Sequence, residues 1–454
     1  MWRIGCNRSV IKIHDRYRNA IRNSDDVQVA DRRSTRPGRH LPCAAVPAPL
    51  RRGASVVRVS PSRPLRLLMD ARYTRTDFHD GISRYGASLI EAVARRTDAP
   101  GPEGADVEVE VAMLISDERQ LALLPDGVPW HLVSGPTSPR EPFVARQVAR
   151  LRPDVVFSPM QTMGSWGRDY ALILTLHDLI YYEHRTPPRN LSEPIRWLWR
   201  AYHLTKIPQR LLLDRADAVA TVSRTTAELI ARHRLTRRPV HVVANAAQAV
   251  PEPRDPDETP ERTLLYMGSF MDYKDVESLV AAAPLLPGYT LHLLSRISPE
   301  RRGQLEARLA ARRAAGADVV FHDGTDEAEY VRLLRRATAA VTLSRAEGFG
   351  LPVAEAMAHG TPVVCSDLPI FREIAGAGTP SFRGVPLEGD RAAALAARVR
   401  ELEDPAEFAV ASRASVAQAA RFSWDESARR LLDLTAALGV ARRAARARTG
   451  RSTR

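Results

Sequence analysis

Residues 344–367 read SRAEGFGLPVAEAMAHGTPVVCSD. A strand ending at Ser344 runs into a loop, 346–351, that holds Gly348 and Gly350. Pro352 stands where the first helical residue belongs, which suits a residue whose missing N–H would be unpaired there. The helix is expected to reach about His359, with Gly360 as a left-handed cap. Strand, glycine-rich loop and helix N-terminus make an anion site, because amides and the positive end of the helix dipole converge on one point. A diphosphate suits it. Glu347 stands at the start of the loop, before its glycines, and Glu355 lies one turn inside the helix. Two carboxylates beside an anion are an electrostatic mistake unless they face something neutral and rich in hydroxyls. Sugar and ribose hydroxyls qualify, since ionised carboxylates accept strong hydrogen bonds from them. The plainer reading makes Glu355 a solvated helix residue and Glu347 a loop acid.

On both sides of this stretch, short apolar runs alternate with helix-length segments. Strands are expected at LRLLMD (65–70), VEVEVAMLI (107–115), DVVFS (154–158), ALILTL (171–176), DAVATVS (217–223) and VHVVAN (240–245). The segment AVPEPRDPDETPE (249–261), with four prolines and five acids, reads as an interdomain linker with nothing to pack. Alternation then restarts at TLLYMG (263–268), YTLHLLS (289–295), DVVFHD (318–323), AAVTLS (339–344) and PVVCSD (362–367). This order predicts an α/β protein of two Rossmann-like, doubly wound domains facing a central cleft. The expected division is a basic extension 1–63, a first domain 64–248, the linker 249–261, a second domain 262–423, a closing helix 424–438 and a disordered Arg-rich tail 439–454.

Composition narrows the function classes. The length of 454 residues suits two or three domains, and no run approaches the roughly 18 apolar residues of a spanning helix. The net charge of +13 resembles a nucleic-acid signal until it is located. Residues 1–63 carry +10 and residues 439–454 carry +6, so the body between them is −3. Arg-biased, disordered ends account for that without a specific nucleic-acid partner. Segment 1–63 lacks the apolar stretch of a secretory signal, and periodic sequence begins only near Leu65, as an over-long translation start would give. Cys6, Cys43 and Cys365 form no disulfide framework or metal-ligand spacing, which fits a cytoplasmic protein. Only three lysines accompany 63 arginines, and one of them is Lys274.

The Glu-(seven residues)-Glu spacing around GFGLP resembles the signature of the retaining GT-B glycosyltransferases, the class that includes mannosyl- and glucosyltransferases. The resemblance covers roughly 65–438. LLYMGSFMDYKDVESLVAA, VVFHDGTDEAEYVRLLRRATAAVTLS, LLMDARYTRTDFHDGISRYGASLIEA, LTLHDLIYYEH and ADAVATVSRTTAELIARH fall in the family's order. It implies that Glu347 binds hydroxyls of the transferred sugar and Glu355 the nucleotide ribose. Backbone amides of Gly348, Phe349, Gly350 and Leu351 would face sugar and diphosphate, and Lys274 would neutralise the leaving diphosphate. His177 would lie near the reacting carbon, the plainer reading being a capping or core histidine. Gly81 would let the backbone approach the donor or acceptor closely. Ser269 stands where the family often carries Arg, with Arg345 and Arg296 as substitute cations. Asn245-Ala246 replaces a frequent Asn-Gly.

The function implied is transfer of a hexose from a nucleotide-diphosphate sugar, by front-face substitution, to a glycan, lipid-linked or small-molecule acceptor of the kind found in cell-envelope polysaccharide. No cofactor or metal is expected, the nucleotide sugar being a co-substrate. An epimerase or phosphorylase of the same fold, or a non-catalytic nucleotide-sugar- or nucleic-acid-binding protein, is the alternative. The basic, aromatic segment PIRWLWRAYHLTKIPQRLLL (194–213) reads as an amphipathic helix packing its Trp and Leu residues on the first sheet. Weak peripheral contact with an anionic membrane at the inner face of the plasma membrane is the other reading.

Overall fold

The computed structural model describes residues 63–98, 107–186, 193–311 and 318–451. The basic extension 1–63 therefore lies outside the described residues except for Arg63. The expected alternation forms two parallel sheets. The first is built from β1 (Leu65–Asp70), β2 (Val109–Ile115), β3 (Trp130–Leu132), β4 (Val155–Ser158), β5 (Ala171–Leu176), β6 (Ala218–Thr221) and β7 (Val240–Val242). The second is built from β8 (Glu261–Tyr266), β9 (Thr290–Leu293), β10 (Asp318–Phe321), β11 (Ala337–Thr342), β12 (Val363–Ser366) and β13 (Phe382–Val385). Central strands such as β5 are buried at every position, as strands covered by helices on both faces must be.

Strand order places the site. The sheets run β3-β2-β1-β4-β5-β6-β7 and β10-β9-β8-β11-β12-β13. In each, the winding reverses between two neighbouring strands, β1/β4 and β8/β11. Helices leave such a pair towards opposite faces and the loops diverge, which opens a crevice at the carboxyl ends. Lys274 follows β8 and Glu347 follows β11, so both stand at the reversal of the second sheet.

Four features differ from the sequence reading. The short strands β3 and β13 extend the sheets beyond the expected elements. Segment 249–261 is not empty of packing, because Arg254 is buried and lies 4.6 Å from the Phe408 ring centroid. Its amide donates to the His359 carbonyl at 3.0 Å and its guanidinium to the Ala337 carbonyl at 2.8 Å. Segment 194–213 forms helices Glu193–Leu204 and Ile207–Leu213, but Trp197, Leu198, Leu204 and Leu211 face solvent instead of the sheet.

Fourth, the closing helix does not stop at 438. It runs Trp424–Arg451, lies along the first-domain helix Gly81–Asp98, and carries its arginines into specific contacts. Arg443 meets the fully buried Asp154 carboxylate at 2.6 and 2.9 Å and the Arg63 carbonyl at 2.8 Å. Burial pushes the Asp154 carboxyl up, yet Arg443, the Arg66 amide and Arg63 outweigh it and hold the group below the usual range. A charge run without acids of its own finds its acids on the neighbouring domain.

The tail is therefore expected to be structural. Arg443→Ala should cost about 2–3 kcal/mol in denaturant unfolding, the range for hydrogen bonds to a buried charge. Deleting 439–454 should cost at least as much, and a truncated protein of unchanged midpoint would refute the contact's importance.

Candidate functional site

Glu347 and Lys274 meet across the crevice of the second sheet, with Lys274 Nζ donating to Glu347 Oε2 at 2.5 Å. Neither local sequence holds the pair in place alone. Lys274 ends a single 3-10 turn, Asp272–Lys274, closed by Asp275 in the left-handed region at φ +48°. Asp275 is clamped by the buried Arg391, which also donates to the Leu343 carbonyl at 3.0 Å and to Ser366 Oγ at 2.6 Å. The Arg345 amide donates to the Tyr273 carbonyl at 2.7 Å, stitching the two loops together. Arg345 also pairs with Asp275 at 3.2 Å, and Arg296 lies 5.7 Å over the Phe78 ring. Both cations considered as substitutes at Ser269 are thus engaged elsewhere.

The glycine loop is tight for two reasons. Gly350 has φ +89°, and a Cβ there would sit 2.8 Å from the buried Phe371 ring. Both the backbone and its neighbour demand glycine. A Cβ on Gly348 would lie 3.0 Å from Asp178 Oδ2, a side chain of the first domain. Helix Leu351–Ala358 follows, ended by Gly360 at φ +80°. The Phe349 side chain turns into the core, edge-on to Phe422 at 5.7 Å, leaving its main chain to the loop.

A cavity opens here, lined by Met267, Gly268, Lys274, Thr342, Glu347, Gly350 and Tyr330 among others. Of the expected site residues, the structure brings Lys274, Glu347 and Gly350 together on this cavity. Glu355 stands apart from it. Its Oε1 accepts from Arg84 of the first-domain helix at 2.6 Å, and its Oε2 accepts from the Tyr330 hydroxyl at 3.1 Å. Gly81 opens the helix that carries Arg84, and among the described residues a Cβ there would meet no atom within 4 Å beyond its chain neighbours and its own helix. The protein's own packing therefore does not require glycine at 81.

His177 follows β5. Its Nε2 bonds the Pro159 carbonyl at 2.7 Å, and its ring stands edge-on to Tyr85 at 5.0 Å. A carbonyl only accepts, so Nε2 carries the proton and Nδ1 is left as the acceptor. Burial lowers the His177 pKa, with the Pro159 carbonyl opposing, so the ring is neutral at pH 7.

Sequence reading missed Asp178. This side chain is packed between the first domain and the glycine loop, with its Oδ1 accepting from the Ile180 amide at 3.0 Å. Burial raises its pKa to about 6, with Glu347 adding to the rise and the Ile180 amide and Lys274 opposing it. The available signal was an acid directly after a histidine, inside the apolar run LILTLHDLI. Arg84 and Tyr330 were missed for another reason: their roles exist only once Glu355 is placed between two elements distant in sequence.

Comparison with known proteins agrees with this architecture. Residues 79–248 match the family model Glycosyltransferase Family 4, and residues 252–421 match Glycosyl transferases group 1. The chain is 32% identical over 190 residues to the GDP-mannose:cellobiosyl-diphosphopolyprenol alpha-mannosyltransferase of Xanthomonas campestris, covering 40% of this chain and 49% of that one. It is 30% identical over 236 residues to D-inositol 3-phosphate glycosyltransferase 1 of Catenulispora acidiphila, covering 47% and 55%. The matched region thus spans about half the length of these curated relatives. Sucrose-phosphate synthase from Thermosynechococcus elongatus superimposes with a TM-score of 0.62 at 20% identity, covering 84% of this chain and 100% of that one. HepE from Anabaena, in complex with UDP and glucose, gives 0.59 at 15% identity, covering 82% and 100%. These likenesses show a shared fold, the two facing Rossmann-like domains of GT-B proteins.

Asp178 supplies a test. A carboxyl whose folded pKa is raised from 3.8 to about 6 costs stability as pH rises through that interval, and the full cost persists above it. Asp178→Asn should therefore be more stable than the parent at pH 7.5, by up to about 3 kcal/mol at 1.36 kcal/mol per unit. The difference should shrink towards zero near pH 4 in thermal melts across pH. A variant less stable at every pH would contradict the burial penalty.

Proposed function

Because the chain belongs to the group 1 glycosyltransferases of the GT-B fold, we propose that it transfers a hexose from a nucleotide-diphosphate sugar to a glycan, lipid-linked or small-molecule acceptor with retention at the anomeric carbon. The observation that carries this reading is the Lys274–Glu347 pair beside Gly348 and Gly350 at the reversal of the second sheet. In the proposed reaction the bond from the anomeric carbon to the diphosphate oxygen breaks, and a bond to the acceptor hydroxyl oxygen forms on the same face. The acceptor's proton passes to the departing diphosphate.

Charge develops in two places, positive on the sugar ring and negative on the leaving group. Lys274 retains two N–H donors beyond its bond to Glu347. With the amides of Gly348, Phe349, Gly350 and Leu351, it would stabilise the diphosphate more as its charge grows, the condition for catalysis. Glu347 would hold hydroxyls of the transferred sugar, and Glu355, steadied by Arg84 and Tyr330, the ribose. Neutral His177 would offer Nδ1 near the reacting carbon, and Gly81 would leave room for donor or acceptor. Metal independence belongs to the same proposal, with Lys274 as the cation for the leaving group. A mannose-type donor is favoured because the Xanthomonas campestris relative is named for GDP-mannose.

The first measurement is thermal stabilisation by a panel of nucleotide sugars, which for a ligand at 100 times its Kd amounts to about 2.7 kcal/mol. Transfer assays with retained-anomer product analysis follow. Glu347→Ala should lower turnover about 100-fold or more with the fold intact. Lys274→Ala should lower kcat/KM by roughly 10- to 100-fold, mainly through the donor. EDTA should leave the rate unchanged. Near-parental turnover of folded Glu347→Ala would end the assignment.

A further inference from the structure

Helix Glu193–Leu204 buries none of its residues, although it carries large apolar side chains. Trp197 is 69% and Leu198 70% exposed, and Leu204, Ile207 and Leu211 extend the apolar surface into the next helix. Trp197, Leu198, Ala201 and Leu204 follow the 3.6-residue period, so they lie on one face. The opposite face is anchored. Trp199 packs edge-on to Tyr181 at 5.1 Å, and His203 packs against Tyr182 at 5.1 Å. Tyr181 and Tyr182 lie just after His177 and Asp178, so the exposed face is mounted beside the cleft.

The charge around this face is unlike the rest of the folded body. Residues 193–238 hold ten cations against four acids, a net of +6 in a body of −3. The basic segment 232–238 adjoins the second of these helices, Ile207–Leu213, since Arg210 donates to the Arg234 carbonyl and Arg238 to the Asp214 carbonyl just after it. Arg215, Arg232, Arg234 and Arg237 are exposed there. Glu193 pairs with Arg196, Asp217 with Arg168, and Asp214 accepts from Thr236 and the Arg237 amide. Most of the local acid is thus already satisfied and the excess stays positive.

We propose that this apolar, cation-rimmed face docks on an anionic phospholipid bilayer. The aromatic and aliphatic side chains enter the headgroup boundary while the arginines meet the lipid phosphates, the arrangement by which an interfacial helix binds. A second copy of the chain is a poor occupant, because a two-fold contact would set two +6 patches against each other. Docking here would bring the cleft to the membrane surface, which goes beyond the sugar-transfer reading and does not depend on it.

The full chain is floated with vesicles of phosphatidylcholine alone and of equimolar phosphatidylcholine and phosphatidylglycerol, at low and high salt. Binding to the anionic vesicles only, weakening with salt, is expected. Trp197→Glu with Leu198→Glu should abolish it. Arg232→Gln with Arg237→Gln should weaken it about 25-fold, near fivefold per cation. Both variants should keep the parent's thermal stabilisation by nucleotide sugar, which reads the transfer site separately. Absence of flotation at low salt overturns the proposal, as does equal binding to neutral vesicles. Binding that survives Trp197→Glu/Leu198→Glu assigns the affinity to the basic ends instead, and a dimer abolished by that variant without vesicle binding assigns the face to a second copy.

Discussion

An ammonium and a carboxylate at 2.5 Å, each mostly removed from water, form the contact on which the cleft depends. Such a pair contributes little net stability, because desolvating both ions offsets most of their attraction. It persists because the loops that carry it are fixed by stronger means. Arg391, on the helix after β13, reaches Asp275 beside Lys274, the Leu343 carbonyl at the end of β11 and Ser366 at the end of β12. One buried guanidinium therefore sets the spacing of two strand ends and the turn that carries Lys274. Its five donors in a planar fork suit that task, which a point-charge lysine would not perform.

The two carboxylates of the Glu-(seven residues)-Glu pattern end in different company. Glu347 takes its cation from its own domain, whereas Glu355 takes Arg84 from the facing one. Glu373 makes a second crossing, accepting from the Arg224 and Thr225 amides at 2.8 and 2.7 Å at the start of a first-domain helix. His184 stacks on Tyr273 at 5.5 Å, again from one domain to the other. The halves therefore meet through polar contacts near the cleft and through the long C-terminal helix. Polar contacts exchange with water at small net cost, while the helix, with Trp424 packed 5.9 Å from Tyr85, is the durable join.

The fold was legible because each central strand is an apolar run too short for a helix and bounded by turn residues, as ALILTL shows. Edge strands gave weaker signals. WHL at β3 and FRGV at β13 are covered on less of their surface, so their composition is mixed. The glycine loop was legible because Gly350 is demanded by backbone and packing together. What escaped depended on partners distant in sequence. Arg254 amid prolines and acids looks solvated until the His359 carbonyl and Phe408 are placed beside it. Arg443 looks like part of a disordered run until the buried Asp154, nearly 300 positions earlier, is placed beside it. Asp178 was hidden by its neighbour, since a histidine at a strand end draws the chemical reading to itself.

Asp178 also changes the electrostatic account of the site. With its pKa at about 6 it is ionised at pH 7, so Asp178, Glu347 and Lys274 together carry one excess negative charge. Holding that charge in a crowded place costs stability in the empty protein. A neutral sugar in the ground state recovers little of the cost, but an anomeric carbon with oxocarbenium character recovers much more. In the proposed reaction, Lys274 and the amides entering the Leu351–Ala358 helix would face the group that becomes more negative. The crowded carboxylates would thus favour the positive ring of the proposed transition state, and Lys274 its leaving phosphate. An environment arranged before reaction stabilises developing charge without reorganising, and strain of this kind is tolerated where it falls on the reacting atoms.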